Sequence, residues 1–378
     1  MTKLRFTSQA VVTTVLIAGL LGLHRLEWPL LKSHGARLRL GQLISAIGDD
    51  QQSREEVDAL VDGYYEQLRA DDRVEGLPSD RGDIHFRNDF LRYELRPNIK
   101  RMYPAGMRFT NSMGMANPEY SYAKPPHTRR IALLGDSLSL GPYGQDFVAL
   151  LENRLNQDCR TADIESYQVL NFSVYGYSIV QKMDVALDKA PQFHPDVYVV
   201  TLTSLELLES KGWGTHLGNL LIDGTDLKYD YLRRVVADAG LQSSKHLPAI
   251  RKGLKPYFVP VTRWALEQVR DHANAQGAQT MVFLIPAPID PNFTSDDFSK
   301  FQEIAGPVGV PILDLRDTFR SVKLEDIWVA PRDIHPNVRG HALIADSLFN
   351  ELQAQPDALL ALAGHPCQVP LSSPAAEK

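Results

Sequence analysis

The stretch Arg129-Arg130-Ile131-Ala132-Leu133-Leu134-Gly135-Asp136-Ser137-Leu138-Ser139-Leu140-Gly141 sets a short apolar run directly against Gly-Asp-Ser. Ile131 to Leu134 is uniformly apolar, too short for a helix and bounded by turn residues, which predicts a strand buried on both faces. A serine that ends such a strand and precedes a helix stands on the C-terminal edge of the sheet, where open α/β sheets place their active sites. Backbone N–H groups at that junction can stabilise negative charge. Taken alone, Gly-Asp-Ser is also an ordinary turn-and-cap sequence.

Outward from this stretch, apolar runs alternate with helical periodicity. Strands are predicted at 131–134, 167–172, 197–203, 280–285 and 310–313, and helices at 146–157, 178–190, 257–276, 296–305 and 338–353. That alternation predicts a three-layer α/β/α domain over 126–354, with a mostly parallel five-stranded sheet of flavodoxin-like type. Residues 207–256 are too many for a plain crossover, so they are expected to form a helical insertion over one end of the sheet. Residues 36–125 read as a helical stalk (36–72) followed by a lead-in of loops and short strands. The tail, 355–378, carries four prolines and is expected to fray.

A second constellation lies near the C-terminus, in Pro331-Arg332-Asp333-Ile334-His335-Pro336-Asn337. Here a histidine has a carboxylate two residues before it, in a predicted loop bounded by prolines. Asp333 can hold the imidazole in one tautomer through Nδ1, leaving Nε2 to take a proton from a serine. The bland reading is a histidine packed near a helix N-cap. Ser137, following the first strand, and the Asp333/His335 loop, following the last, converge on one edge of the predicted sheet.

Gly135-Asp136-Ser137-Leu138 resembles the GDSL block of the SGNH hydrolase family, and Asp333-Ile334-His335-Pro336-Asn337 resembles its last block. Between them, VLNFSVYGYSIVQ (169–181) is similar to the family's glycine block. The lead-in TNSMGMANPEYSYAKPPHTRRIALLGDS (110–137) is similar to that of membrane-anchored bacterial members associated with envelope or exopolysaccharide chemistry. The likeness covers about 107–206 and 279–352. It implies Ser137 as nucleophile, His335 as base, Asp333 as its partner, and the N–H groups of Ser137 and Gly176 as oxyanion donors. No cofactor is implied.

One block departs from the pattern. The family's third block, of Gly-x-Asn-Asp type, should fall in VVTLTSLELLES (199–210), which has no asparagine. A hydroxyl can donate to an oxyanion and a carboxylate cannot, so Thr203 and Ser204, rather than Glu206, are the expected substitutes. In the insertion, Trp213, His216, Tyr229 and His246 could line a substrate mouth or belong to a small helical core.

Composition narrows the remaining classes. The 40 basic residues are outnumbered by 46 acidic ones, with no long basic run, which argues against nucleic acid. Cys159 and Cys367 have no second thiol or histidine at metal-ligand spacing, so no metal site is expected. They are either unrelated or, in an oxidising compartment, joined in a disulfide.

Lys3 and Arg5 precede an uncharged stretch, Ala10 to Leu23, with no small-x-small cleavage site after it. Residues 1–35 are therefore expected to form an uncleaved signal anchor and its flank, giving a membrane contact through an N-terminal helix. Basic residues on both sides leave the orientation undecided by charge. The likeness to membrane-anchored members implies a single pass through a bacterial inner membrane, the catalytic domain in the periplasm, and partners in an envelope polysaccharide system. Three functions fit: an esterase acting on O-acyl, chiefly acetyl, groups of a carbohydrate, an O-acyltransferase using the same acyl-enzyme, and a non-catalytic assembly subunit that retains the fold.

Overall fold

The computed structural model describes residues 83–103, 106–207, 212–288, 295–330 and 333–367. The expected signal anchor and stalk lie outside them. Among the described residues, no helix is long and apolar enough to cross a membrane.

The lead-in forms two antiparallel pairs, β1 (Ile84–Phe86) with β2 (Tyr93–Leu95), and β3 (Lys100–Tyr103) with β4 (Gly106–Phe109). The domain then alternates as the sequence predicts: β5 (Thr128–Leu134), α1 (Phe147–Asp158), β6 (Ser166–Asn171), α2 (Ile179–Asp188) and β7 (Val197–Thr203). The insertion contributes α3 (Trp213–Asp223), α4 (Asp230–Asp238) and α5 (Leu247–Leu254). After it come α6 (Phe258–Ala275), β8 (Gln279–Ile285), α7 (Ser295–Ala305), β9 (Ile312–Asp314), the short pair β10 (Trp328–Ala330) and β11 (Asp333–Pro336), then α8 (Val338–Ala354) and α9 (Pro356–Ala363).

The main sheet has the order β6-β5-β7-β8-β9, all parallel. Side chains alternate across a strand, so each central strand feeds two cores. Ala132 and Leu134 of β5, Tyr198 and Val200 of β7, and Val282 and Leu284 of β8 pack with α2 and α6. Ile131 and Leu133, Val197 and Val199, and Met281 and Phe283 pack with α1, α8 and α9 on the other face. This double burial is why the strands are continuous apolar runs, and it makes the domain three-layered. Truncating Leu133 to alanine in such a core should cost about 2–5 kcal/mol.

The lead-in is fixed to the sheet by a buried arginine. Arg130 donates from Nη1 to the carbonyls of Tyr122 and Phe193 and from Nη2 to that of Ser121, all within 2.9 Å. The insertion packs beside α2: Tyr229 Oη donates to Asp184 at 2.5 Å, and the rings of His216 and Tyr229 meet Phe90 of the lead-in edge-on. Trp213 and His216 are buried there, and burial lowers the pKa of His216 to about 3. These two therefore act as core residues, while His246 is exposed at the N-cap of α5.

The tail departs from expectation as far as residue 367. Pro356 stands in the first turn of α9, a position where its fixed φ and missing N–H favour helix initiation. Ala358, Leu359, Leu362 and Ala363 are buried against α1 and α8. Arg129 donates to the carbonyls of Leu362 and Ala361, both at 2.7 Å, and a disulfide joins Cys159 to Cys367.

Candidate active site

Ser137 opens a short 3-10 turn, Ser137–Ser139, at the C-terminal end of β5. Asp136 caps it: Oδ1 accepts the Leu138 N–H at 2.9 Å. Gly135 is required by space, because a Cβ there would come within 2.5 Å of both Ser139 Oγ and Ser173 Oγ. The chain following β6 is bonded to this turn through Asn171, whose Nδ2 donates to the Ser139 carbonyl at 2.9 Å and whose Oδ1 accepts the Ser173 N–H at 3.1 Å.

Gly176 lies five residues beyond Asn171 with φ +64°, a left-handed conformation that glycine adopts at little cost. The lead-in clamps both neighbours of this glycine. Tyr93 Oη donates to the Tyr175 carbonyl at 2.9 Å, and Tyr177 Oη donates to the Tyr93 carbonyl at 2.5 Å.

Asp333 and His335 lie on a strand, not in the loop the sequence suggests. The pairs Trp328 with Pro336 and Ala330 with Asp333 form the ladder, and Asn337 closes it by donating to the Trp328 and Asp326 carbonyls while its Oδ1 caps α8. Pro336 ends the second strand of a two-stranded ribbon, and that strand packs against the Ser137 turn.

Asp333 Oδ1 lies 2.5 Å from His335 Nδ1 and also accepts the His335 backbone N–H at 3.1 Å. A carboxylate only accepts, so Nδ1 carries the proton and Nε2 is left as the basic nitrogen. Burial works against the Asp333 charge, but the hydrogen bond and proximity of His335, with a smaller contribution from Arg108, hold the carboxyl below its ordinary range. Ser137 is 1% exposed and its Oγ has no hydrogen-bond partner among the described residues. The structure thus joins Asp333 to His335 and brings their strand to the serine turn without a Ser137–His335 hydrogen bond.

The third block is arranged differently from the expectation. Thr203 Oγ1 donates to Asp136 Oδ2 at 2.8 Å, so its proton is directed at a carboxylate and not at an oxyanion. Ser204 Oγ accepts the Ala287 N–H at 2.9 Å, which places it as a brace between the ends of β7 and β8. Glu206 faces inward and pairs with the Lys182 ammonium, which also lies 3.3 Å from Asp136 Oδ2.

Several residues of this site escape the sequence reading. Lys182 sits on a helix where a lysine ordinarily signals a solvent face, and Asn171 resembles a strand-end turn residue. Arg108 of β4 has its guanidinium 5.1 Å from the centre of the Tyr175 ring, and its charge bears on Asp146 and Asp333. The only sequence signal for this group is the carboxylate at 206 in a block where the family carries an amide.

No protein-family model matches the chain, and no curated protein does. Among solved structures, it is similar to TesA, at 18% identity and a TM-score of 0.37 over 60% of this chain and 99% of that one. It is also similar to a catalytic mutant of the acetylxylan esterase Axe2 from Geobacillus stearothermophilus, at 12% identity and 0.38 over 59% and 94%. A third is the psychrotrophic esterase EstA from Pseudoalteromonas sp., at 16% and 0.36 over 60% and 97%. The second and third of these are named as esterases. At such identities a likeness does not carry chemistry from one chain to another.

Proposed function

We propose that this chain is a serine esterase acting on O-acyl esters of a carbohydrate, with acetyl the favoured acyl group. The observation that carries the reading is the 2.5 Å contact of Asp333 Oδ1 with His335 Nδ1, on a strand packed against the turn that presents Ser137. In the reaction, Ser137 Oγ attacks the ester carbonyl while His335 Nε2 takes its proton. Charge develops on the carbonyl oxygen, where the Ser137 and Gly176 N–H groups are the donors, each worth roughly 2.7–4 kcal/mol. The imidazolium returns its proton to the sugar oxygen as its bond to the acyl carbon breaks, so the sugar leaves as an alcohol. Water then repeats the sequence on the acyl-enzyme.

Transfer of the acyl group to a sugar hydroxyl is the second reading, favoured by the burial of Ser137, since a site that excludes water prolongs an acyl-enzyme. An N-terminal anchor with the catalytic domain in the periplasm is part of the proposal, as is a place in an envelope polysaccharide system. The Cys159–Cys367 disulfide supports an oxidising compartment. The test is a fluorophosphonate probe: it should label wild type and leave Ser137→Ala unlabelled. Labelling of the alanine variant at the wild-type rate would refute the assignment. Release of acetate from an acetylated oligosaccharide, with and without an acceptor glycan, separates hydrolysis from transfer.

A further inference from the structure

Three ionisable side chains, all buried, meet under the serine turn. Lys182 of α2 is 1% exposed, and its Nζ pairs with Glu206, contacts Asp136 Oδ2 at 3.3 Å and donates to the Thr201 carbonyl at 2.8 Å. Asp136 is 4% exposed and Glu206 6%. One cation and two carboxylates are thus taken out of water together, an arrangement that is costly unless every member is paired.

The pairing runs to the nucleophile by a short path. Asp136 uses Oδ1 to cap the Leu138 N–H, which fixes the 3-10 turn in which Ser137 is the first residue. Its other oxygen is occupied by Lys182 and by the Thr203 hydroxyl. Oδ2 is thereby held from two elements, α2 and the end of β7, so the carboxylate cannot rotate without abandoning a buried ammonium. Glu206 anchors that ammonium from the far side.

Resting on the esterase reading above, we infer that Lys182, held by Glu206, is a positioning residue that locks Asp136 and through it the turn presenting Ser137. In this arrangement the third block serves the nucleophile from below: Glu206 carries a counter-charge for Lys182 and does not face substrate. The absence of an asparagine then follows from a change of task, because the side chain at 206 reaches inward to the Lys182 ammonium.

The test uses the whole chain and reads the turn separately from the chemistry. Lys182→Met keeps the aliphatic stem and deletes the charge. The expected result is a folded protein with a lower Tm in which the Leu138 amide exchanges at least about tenfold faster, relative to amides in α8. Fluorophosphonate labelling of Ser137 and kcat on p-nitrophenyl acetate should fall by about a hundredfold, with KM changed less than about threefold, since about an ångström of misplacement costs that much. Glu206→Gln keeps an oxygen for the ammonium and should stay within about tenfold of wild type.

If Lys182→Met does not fold, Lys182→Met/Glu206→Leu removes both ends of the pair, leaves Asp136 without its cation and carries the same expectation. A folded variant of either kind whose Leu138 amide is as protected as in wild type overturns the inference, whether or not labelling slows, because the effect would not pass through the turn. Wild-type labelling speed in a folded variant overturns it as well. Failure of wild type itself to label would instead remove the esterase reading, and Leu138 exchange would still decide whether Lys182 holds the turn.

Discussion

Thr203 Oγ1 donates to Asp136 Oδ2 across 2.8 Å, so the end of β7 is bonded to the residue immediately before Ser137. Thr203 is therefore better placed to restrain Asp136 than to touch a substrate oxygen. Thr203→Val conserves shape and deletes the donor, and is expected to lower kcat by about threefold to tenfold with KM unchanged, less than the full cost of a hydrogen bond to a charged group because Lys182 still holds Asp136 Oδ2. Thr203→Ser should restore the rate. A direct oxyanion donor would lose about 100-fold or more, so steady-state kinetics on p-nitrophenyl acetate distinguishes the two roles.

Asp333 bonds His335 twice, from one oxygen to Nδ1 and to the backbone N–H. Asp333→Asn preserves the shape but can present an N–H to the ring, which favours the tautomer with its proton on Nε2 and removes the base. The expected loss in kcat/KM is about a hundredfold or more, comparable to His335→Ala, with little change in Tm. An asparagine variant at the wild-type rate would assign the orienting role to another carboxylate.

The sheet and much of the site are legible in the sequence because burial on two faces leaves continuous apolar runs. Val197–Thr203 and the helix at 338 need no tertiary information to be found. What is not legible is pairing across distance. Lys182 stands in a predicted helix, where a charge ordinarily marks the solvent face, and only the fold brings Asp136 and Glu206 to it. Pro331 and Pro336 resemble loop punctuation, yet β11 forms because Trp328–Ala330 offers it a partner. Pro356 likewise resembles the start of a frayed tail, but the apolar residues after it are buried in the core that α1 and α8 share.

Glu206 makes the Lys182 cluster sensitive to pH. Burial pushes its carboxyl up to about 7, against the attraction of Lys182, because two buried carboxylates share one ammonium. A carboxyl whose folded pKa exceeds its unfolded value of 4.5 favours the folded state at low pH, and that contribution is lost as pH rises from 4.5 through about 7. Asp146, raised to about 6 by burial, acts in the same direction, while His341, lowered to about 3, acts oppositely below its ordinary range. The difference in stability between wild type and Glu206→Gln isolates the one group. Denaturant titrations from pH 4.5 to 7.5 should show the variant gaining on wild type by an amount on the order of a few kcal/mol. A difference independent of pH would mean that Glu206 stays in one protonation state throughout.

The disulfide gives a further prediction, because it closes a loop of unusual length. Cys159 ends α1 and Cys367 follows α9, a separation of 208 residues in sequence. The entropy removed from the unfolded chain grows only logarithmically with such a loop, so the bond should contribute roughly 2–5 kcal/mol. Other contacts hold the same segment in place: Arg129 on the Leu362 and Ala361 carbonyls, and Tyr167 Oη within 2.9 Å of the Cys159 and Ala363 carbonyls. Cys159→Ala/Cys367→Ala is therefore expected to keep α9 docked and to leave kcat within about twofold, since the bond sits away from the turn of Ser137. Its Tm should fall by about 5–15 °C, and treatment of wild type with a reductant should reproduce that fall. Loss of α9 protection in hydrogen exchange at temperatures well below Tm would show instead that the bond, and not the buried face of the helix, keeps the C-terminal segment docked.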